Sequence, residues 1–414
     1  MPVLYDAALG AYRMAAQVLA WTGSSKARKF VAGRQGLIEA IEAAFRNETR
    51  PVIWMHCASL GEFEQGRPVL ETLRQRHPEY AFVLTFFSPS GYEVRKNYSG
   101  ADYVFYLPHD MPENARRFVA AVKPRLALMV KYDLWLHYLE ALQKAQVETV
   151  LFAARFTSRQ GFFRWYGGIQ RRMIRLLDWI FVQDKASKQL LLESGLERVT
   201  VAGDTRFDRV ATAAQTAMPH PELTAFATGA SLLIAGSTWP ADEALLAQIV
   251  PELPANWKLV VVPHEVGEAH LQQVERLFKE QTVRWSQGTN PDARIVLVDQ
   301  VGLLLQLYRS AAIAYVGGGF GKAGIHNVLE PAAMGVPVIH GPIFHQFLEA
   351  QALLDAGGSV AVSDGAALKA AVLNWMQDEA ARTDAGIRAA GYVQAHTGAT
   401  ETIASFLDAR LAER

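Results

Sequence analysis

Cysteine is nearly absent from this 414-residue sequence, which contains only Cys57. A disulfide framework is therefore excluded, and a reducing compartment fits best. An excess of charge of either sign is also absent, because lysine plus arginine and aspartate plus glutamate number 41 each. No overall electrostatic field therefore recruits nucleic acid or a membrane, and nucleic acid is not expected as a partner.

Several catalytic signatures are missing as well. The sequence has no Asp-x-Asp, no His-Glu-x-x-His and no paired histidines at zinc-site spacing, so a divalent metal has few obvious ligands. It has no Gly-x-Ser-x-Gly, and Cys57 lies within an apolar, strand-like run. A serine or cysteine hydrolase is therefore poorly supported, and we expect neither a metal nor another cofactor.

The first 22 residues are apolar but are interrupted by Asp6 and Arg13. This composition argues against a signal peptide and makes a membrane-spanning helix doubtful. Two readings stay open: a helix lying in a membrane interface, or a helix packed on its own domain. The stripe at helical spacing comprises Leu4, Ala8, Ala11, Ala15, Val18 and Leu19, and it is followed by the basic residues Lys26, Arg28, Lys29 and Arg34.

Short apolar runs alternate with longer helical stretches along the whole chain, which predicts α/β domains with parallel sheets. The predicted strands are 52–57, 81–87, 103–106, 126–130, 149–153 and 179–182, and then 232–235, 259–262, 295–298, 312–316, 336–340 and 360–362. The predicted organisation is a first domain over 1–211, a linker rich in Ala, Thr and Pro over 212–230, a second domain over 231–395, and a C-terminal helix over 396–414 that packs back on the first domain. Two doubly wound, Rossmann-like domains facing a central cleft would place ligands beyond the carboxyl ends of their strands.

The first candidate site follows the predicted strand 52–57. Ser59 and Gly61 suit a tight turn into a helix that begins near Glu62. A carboxylate there could take a proton from an incoming hydroxyl as general base. The helix dipole would favour its ionised form, so we expect a charged and weakly basic carboxylate. The alternative is that Glu62 only complements the dipole.

The second candidate is a glycine-rich loop after the strand 312–316, containing Gly318 and Gly319, and followed by a helix that opens at residues 327–330. Such a loop lets the backbone approach a phosphate, and the N-terminus of the helix at 327–330 supplies free N–H donors for that phosphate. Glu330 could accept two ribose hydroxyls. The Gly-x-Gly-x-x-Gly spacing at 319–324 resembles a dinucleotide fingerprint, but it follows a late strand, so NAD is disfavoured. The alternative is a glycine turn without a ligand.

Arg206 forms the third candidate, between Asp204 and Asp208. It could offset the charge that develops on a phosphate leaving group, or it could be a salt-bridged linker residue. The basic and aromatic stretch 155–175 could grip an anionic acceptor, or its arginines could lie along a core.

Taken in order, these motifs resemble the Kdo transferases of Gram-negative bacteria, which move 3-deoxy-D-manno-oct-2-ulosonic acid (Kdo) from CMP-Kdo to a lipid A precursor. The resemblance runs from about Gly33 to the C-terminal helices. The motifs that carry it are Ser-Leu-Gly-Glu-Phe at 59–63, Ala-Arg-Phe at 154–156, Phe-Val-Gln-Asp at 181–184, Gly-Asp-Thr-Arg-Phe-Asp at 203–208, Gly-Ser-Thr at 236–238 and His-Asn-Val-Leu-Glu-Pro at 326–331.

The resemblance implies a GT-B fold and an inverting, metal-independent transfer, with the acceptor on the first domain and CMP-Kdo on the second. It implies Glu62 as the base, with Asp133 and Arg206 stabilising the transition state. The implied CMP contacts are Pro263, His264, Val301, Gly302, Leu303, Asn327, Val328, Leu329 and Glu330. Further substrate contacts are expected at Ser59, Gly61, Ser237, Thr238, Gly318 and Gly319. It also implies the cytoplasmic face of the inner membrane, with the enzyme peripheral or anchored by its first helix.

The sequence departs from the commonest family pattern at three positions. His264 stands where many members have arginine, Lys131 where many have an acidic residue, and Arg206 where lysine is frequent. Two other functions stay open: a GT-B enzyme using another nucleotide sugar (a UDP-sugar transferase or an epimerase), and a non-catalytic module that binds nucleotide or lipid. Protection from thermal unfolding by CMP but not by UDP would argue against another nucleotide sugar. A single-turnover transfer assay would show whether the protein is catalytic or only binds.

Overall fold

A computed structural model describes residues 2–278, 282–288 and 290–412. The predicted end segments begin at residue 1 and finish at 414, so their outermost positions (1, 413 and 414) lie outside the described residues. The chain divides into two compact units. The first comprises the residues up to Asp208 together with those from Gly398 onward, and the second comprises Arg209–Thr397.

The first unit is built on a seven-stranded parallel sheet in the order β3-β2-β1-β4-β5-β6-β7. Most of its strands are buried along their whole length, which explains their near-continuous apolar sequences. The strands are β1 (Val52–Cys57), β2 (Ala81–Phe86), β3 (Tyr103–Tyr106), β4 (Pro124–Val130), β5 (Glu148–Ala154), β6 (Trp179–Val182) and β7 (Val199–Val201).

Helices cover both faces of this sheet, as crossover connections require. In chain order they are α1 (Pro2–Trp21), α2 (Ser25–Ala32), α3 (Leu37–Phe45), α4 (Leu60–Arg76), α5 (Pro89–Arg95), α6 (Pro112–Val122), α7 (Leu136–Lys144), α8 (Gly168–Arg175) and α9 (Lys185–Glu193). Helix α10 (Thr205–Thr216) continues across the division between the units. A 3-10 turn covers Gly161–Phe163.

The last helix, α19 (Ala399–Ala412), belongs to the first unit. Its Ile403 and Leu407 are fully buried in the same apolar cluster as Leu70 of α4. Arg76 at the end of α4 forms ion pairs with Glu401 and Asp408 of α19. The helix is therefore part of the core of the first unit.

Helix α1 has one attached side and one exposed side. Tyr5 donates a hydrogen bond to Asp110 Oδ2 over 2.6 Å, and Asp6 pairs with His137 Nε2 over 2.7 Å. Within the described ranges, no helix is sufficiently long and apolar to cross a bilayer. The exposed side is an apolar stripe that begins with the adjacent Val3 and Leu4 and continues at spacings of three or four residues with Ala7, Ala11, Met14, Val18 and Trp21.

The second unit has the same architecture, with a seven-stranded parallel sheet in the order β10-β11-β9-β8-β12-β13-β14. Its strands are β8 (Ser231–Thr238), β9 (Trp257–Pro263), β10 (Thr282–Arg284), β11 (Ile295–Leu297), β12 (Ile313–Val316), β13 (Val338–His340) and β14 (Ser359–Ala361). Its helices are α11 (Pro221–Phe226), α12 (Pro240–Ile249), α13 (Glu268–Phe278), α14 (Leu304–Tyr308), α15 (Leu329–Ala333), α16 (Leu348–Asp355), α17 (Gly365–Gln377) and α18 (Glu379–Ala395), with 3-10 turns at Val250–Glu252 and Trp285–Gln287.

The predicted fold class, two Rossmann-like domains with parallel sheets, is confirmed. Two three-residue strands, β7 and β10, were not predicted. The stretch 212–230, predicted as a linker, contains the end of α10 and the whole of α11.

In each sheet the strand order reverses once, and ligands of doubly wound sheets bind beyond the carboxyl ends of strands at that point. The reversal lies between β1 and β4 in the first sheet and between β8 and β12 in the second. The loops that follow these four strands carry most of the predicted site residues.

Candidate active site

Glu62 lies in the first turn of α4, directly after β1. Ser59 is the N-cap in an extended conformation, and Gly61 is the exposed second residue of the helix. The half-buried Glu62 side chain folds back, so that Oε2 accepts a hydrogen bond from the Ala58 N–H over 2.5 Å. The carboxylate is thereby fixed at the carboxyl end of the sheet.

Burial raises the pKa of Glu62, and the charge of Asp133 raises it further. The Ala58 N–H, His56 and Lys131 act in the opposite direction but do not prevail. The expectation of a weakly basic carboxylate, which rested on the helix dipole, is therefore wrong in direction. A carboxylate with a raised pKa is a stronger general base, because its proton affinity lies closer to that of its substrate.

Asp133 follows β4 across the reversal point, in a loop that Lys131 begins with a left-handed conformation (φ 64°). Asp133 Oδ2 lies 2.6 Å from Nε2 of His56, a fully buried residue of β1. Thr85 of β2 stands directly opposite His56 in the sheet register, and its Oγ1 lies 2.8 Å from His56 Nδ1. Trp54 Nε1 donates to the same Thr85 oxygen over 2.8 Å.

Arg206, in the first turn of α10, is oriented by its neighbour Asp204. Its Nε and Nη2 donate to Asp204 Oδ2 over 2.9 and 2.7 Å, and its backbone N–H donates to Oδ1 over 3.0 Å. Thr205 Oγ1 donates to the Gln65 carbonyl oxygen of α4 over 2.6 Å, which ties the two helices together. Asp204 therefore orients the Arg206 guanidinium. The contact of Arg206 with a phosphate stays a prediction.

In the second unit, the glycine loop after β12 lies against other backbone. A Cβ built on Gly317 would approach the Ser237 carbonyl oxygen to 2.4 Å, and one on Gly319 would approach the Gly341 Cα to 2.6 Å. Gly318 has a φ of +93°, a region that L side chains rarely adopt. Three consecutive glycines are therefore required for three separate steric reasons.

Asp242, a buried residue of α12 that was not predicted, secures this loop. Its Oδ2 accepts hydrogen bonds from the backbone N–H groups of Gly318 and Trp239, each over 2.9 Å. Its Oδ1 accepts a hydrogen bond from the hydroxyl of Tyr315 over 2.6 Å. The turn after β8 and the turn after β12 are therefore fixed by one carboxylate.

Glu330 lies in the first turn of α15 and is held from two sides. Its Oε1 accepts hydrogen bonds from Asn327 Nδ2 over 3.0 Å and from Arg209 Nη2 over 3.1 Å. Within the part of the chain that the structure describes, both bonds fall on Oε1, which leaves Oε2 to accept from a ligand. Asn327 Oδ1 also accepts the Leu329 N–H over 3.1 Å, so one donor of the predicted phosphate site is already occupied.

His264 is the exposed member of a group of three rings. Its imidazole stacks on Trp239 (ring centroids 4.8 Å apart) and on His326 (4.4 Å apart). Trp239 Nε1 donates to His326 Nε2 over 2.9 Å, so this nitrogen of His326 carries no proton. Burial lowers the pKa of His326, and the charge of His264 lowers it further.

The remaining predicted residues of the second unit lie at the ends of strands β8 and β9 and at the starts of helices α14 and α15. Ser237 and Thr238 end β8, with Ser237 at a φ of 53° and Thr238 donating to Glu243 over 2.9 Å. Pro263 ends β9, while Val328 and Leu329 are buried at the start of α15. The segment 301–303 precedes α14, with Val301 78% exposed and Gly302 at a φ of +90°.

Sequence reasoning did not single out Trp239 or Asp242. It assigned no role to three further residues that lie in or beside its candidate motifs, namely His56, Arg209 and His326. The available signals were a histidine inside an otherwise apolar strand and an Asp-Glu pair in the first turn after Gly-Ser-Thr. Among the described residues, no group of three or more His, Cys, Asp or Glu side chains is arranged to hold a metal ion.

Two Rossmann-like domains with these loops define a class of proteins, the GT-B glycosyltransferases and the epimerases that share their fold. A UDP-GlcNAc 2-epimerase from Neisseria meningitidis bound to UDP-GlcNAc aligns with a TM-score of 0.60 at 14% identity, over 86% of this chain and 99% of that one. MurG from Acinetobacter baumannii aligns with a TM-score of 0.55 at 12% identity, over 87% and 99%. At these identities the likeness concerns the fold alone.

Comparison of sequences identifies a family, whereas the structural comparisons identify only the fold. Residues 31–209 match the family model described as 3-deoxy-D-manno-octulosonic-acid transferase (kdotransferase). The chain is 30% identical to the 3-deoxy-D-manno-octulosonic acid transferase of Bordetella pertussis over 375 residues, which cover 84% of this chain and 85% of that protein. The enzyme of the same name from Chlamydophila psittaci is 28% identical over 76% of each chain. The chain therefore belongs to the Kdo transferase family of glycosyltransferases.

Proposed function

We propose that the protein transfers Kdo from CMP-Kdo to a lipid A precursor, with inversion at the anomeric carbon and without a metal ion. Family membership over most of the chain is the observation that carries this proposal. The raised pKa of Glu62 supports it from the side of the chemistry, since the reaction needs a base for the acceptor hydroxyl.

The donor is assigned to the second unit. The phosphate is assigned to the N-terminus of the helix that opens at Asn327, and Glu330 Oε2 offers an acceptor for ribose hydroxyls. Gly318 and Gly319 of the glycine loop are proposed as further substrate contacts. His264 takes the place of the arginine that is common in the family, and its ring stacks on Trp239 and His326 instead of extending alone. The predicted CMP contacts at Pro263, His264, 301–303 and 327–330 belong to this proposal.

The acceptor and the base are assigned to the first unit. A primary hydroxyl of the acylated, phosphorylated glucosamine disaccharide attacks the anomeric carbon of Kdo and loses its proton to Glu62. The bond from that carbon to the phosphate oxygen breaks, and CMP leaves with the electron pair. Asp133 stabilises the positive charge on the sugar and Arg206 the negative charge on the departing phosphate. Ser59, Gly61, Ser237 and Thr238 are proposed to contact the substrates.

Membrane attachment is proposed to occur through α1, at the cytoplasmic face of the inner membrane. The exposed apolar stripe of α1 and the basic residues Lys26, Arg28 and Lys29 that follow it have the character of an interfacial helix. The acyl chains of the acceptor would remain in that membrane.

The base assignment is tested with Glu62→Gln, which keeps an oxygen for the Ala58 N–H. Turnover should fall about 10²–10⁴-fold, the usual contribution of a general base. CMP binding, measured by calorimetry, should remain within twofold. Glu64→Gln, two residues further along α4, is the matched control and should keep wild-type turnover. A Glu62→Gln enzyme with near-normal turnover would eliminate Glu62 as the base.

The donor assignment is tested by thermal unfolding in the presence of nucleotides. CMP should raise the unfolding temperature, because a ligand that binds only the native state stabilises it. UDP at the same concentration should not. Equal protection by both, or protection by UDP alone, would indicate another nucleotide sugar.

A further inference from the structure

His56 joins three residues of the first unit into a chain of hydrogen bonds that ends at Asp133. The chain runs from Trp54 to Thr85, from Thr85 to His56 and from His56 to Asp133, with separations of 2.8, 2.8 and 2.6 Å. Its first three members are fully buried, whereas the Asp133 side chain remains 17% exposed. The chain therefore leads from the core of the sheet to an accessible carboxylate.

The chemistry of the groups fixes the direction of every proton in this chain. The indole N–H of Trp54 can only donate, so Thr85 Oγ1 accepts it. The hydroxyl hydrogen of Thr85 has no access to solvent, and its acceptor among the described residues is His56 Nδ1. Nδ1 is then unprotonated, and the single ring proton is on Nε2, which donates to Asp133 Oδ2.

The opposite assignment leaves a buried donor without a partner. If His56 carried a proton on Nδ1, it would donate to Thr85 Oγ1, which already accepts from Trp54. The fully buried Thr85 hydroxyl would then have no acceptor in the described part of the chain, which is unfavourable for a buried donor. The neutral Nε2–H tautomer satisfies all three residues at once.

We propose that His56 is a positioning residue for the transfer reaction: it fixes Asp133 through a donated hydrogen bond in the orientation that catalysis requires. The proposal rests on the function proposed above. Without that bond, the Asp133 side chain loses its hydrogen bond to β1. The charge of Asp133 also contributes to the proton affinity of Glu62, so a displaced Asp133 impairs both carboxylates.

A direct test compares two amide variants that differ in which side of the imidazole they replace. Glutamine places its amide near the position of Nε2, whereas asparagine places it near Nδ1. His56→Gln should therefore retain the bond to Asp133 and most of the wild-type kcat. His56→Asn should keep only the Thr85 side, with kcat lowered about tenfold or more and KM for CMP-Kdo within twofold, as expected for a lost interaction worth about 1.5–3 kcal/mol.

Thermal unfolding of both variants shows whether either loses its fold. If His56→Asn retains wild-type kcat, or if both folded variants lose kcat equally, His56 does not act through Asp133. If the wild-type enzyme itself forms no product in the same assay, the proposed function fails and this role fails with it.

The tautomer provides a measurement that is independent of turnover. In the protein with ¹⁵N-labelled histidine, the His56 imidazole should show a protonated Nε2 and an unprotonated Nδ1. Thr85→Val, which removes the hydroxyl donor to Nδ1, should disturb this pattern, whereas Thr85→Ser should keep it. A His56 protonated on Nδ1 in the wild-type protein would overturn the proposal.

Discussion

Glu62 shows how two physical effects compete at a single residue. Its position in the first helical turn favours the charged carboxylate, but burial and the nearby Asp133 favour the protonated form, and they prevail. The sequence could indicate the helix start, because Ser-Leu-Gly-Glu follows an apolar run. It could not indicate the burial or the identity of the neighbouring charge, since Asp133 lies 71 positions along the chain.

The raised pKa of Glu62 predicts a pH-dependent effect on stability. A carboxyl whose folded pKa lies above its unfolded pKa stabilises the fold at low pH, and this contribution is lost as pH rises through the interval between the two values. In the wild-type protein, ionisation of the buried Glu62 carboxyl at high pH lowers the stability of the fold, whereas the glutamine of Glu62→Gln cannot ionise. The unfolding temperature of this variant should therefore exceed that of the wild type at pH 8, with a smaller difference at pH 5. A difference that is the same at both pH values would show that the folded pKa is not raised.

The sequence does not reveal that Arg209 is a partner of Glu330, because the two residues lie 121 positions apart in the chain. Arg209→Met removes the guanidinium while keeping much of the side-chain volume. The affinity for CMP should fall about tenfold, since bonds to charged groups contribute about 1.5–3 kcal/mol and Glu330 loses one of its two donors. Calorimetry with CMP measures this. Arg276→Met, on the surface of α13, is the control, and equal affinity of the two variants would show that Arg209 does not position Glu330.

At the scale of elements, strands were predictable where adjacent apolar residues form a continuous run. The central strands β1, β8 and β9 are largely buried, and each contains an uninterrupted apolar run of four or five residues. Strands β7 and β10 have only three residues each and lie at the edges of their sheets. Neither contains two adjacent apolar residues, whereas the equally short β11, β13 and β14 do. Pairing with a neighbouring strand therefore defines β7 and β10.

In the loop after β12, the close approach of other backbone explains the consecutive glycines of the sequence. Gly319→Ala should destabilise the second unit by about 1–3 kcal/mol, because its Cβ would meet the backbone of Gly341 at 2.6 Å and neither segment can move easily. Gly321→Ala is the matched control, since its Cβ would lie 3.4 Å from the Gly318 carbonyl oxygen. Urea unfolding compares them, and equal stability of the two variants would contradict the close approach.

Helix α1 packs on its own unit, which was one of the two alternatives that its sequence left open, and its contact with a membrane stays a proposal. Tyr5 and Asp6 attach it to the first unit, and the opposite stripe exposes Val18 and Trp21 by 57% and 90%. Trp21→Ser should weaken binding to vesicles containing anionic lipid about tenfold or more, the effect of losing one large apolar side chain from the interface. Gln17→Ser, a polar exposed position on the same helix, should not. Equal vesicle binding in co-sedimentation would exclude this helix as the attachment site.

For the whole molecule, two repeats of one architecture made the fold predictable. Each unit reverses its strand order once, and the predicted loops lie beside those reversals. The packing of α19 on the first unit was predicted, but not residue by residue, because the apolar spacing of Ile403 and Leu407 does not indicate what they contact. Motif order identified the family because several short motifs had to occur together, each in the correct place.

The most direct test of Kdo transfer is mass spectrometry of the product formed by the purified protein from CMP-Kdo and a tetraacylated, bisphosphorylated glucosamine disaccharide. We predict that the acceptor gains the mass of one or more Kdo residues with release of CMP, and that Glu62→Gln forms almost none of this product. An acceptor of unchanged mass, with CMP-Kdo left intact by the folded wild-type protein, would contradict the account.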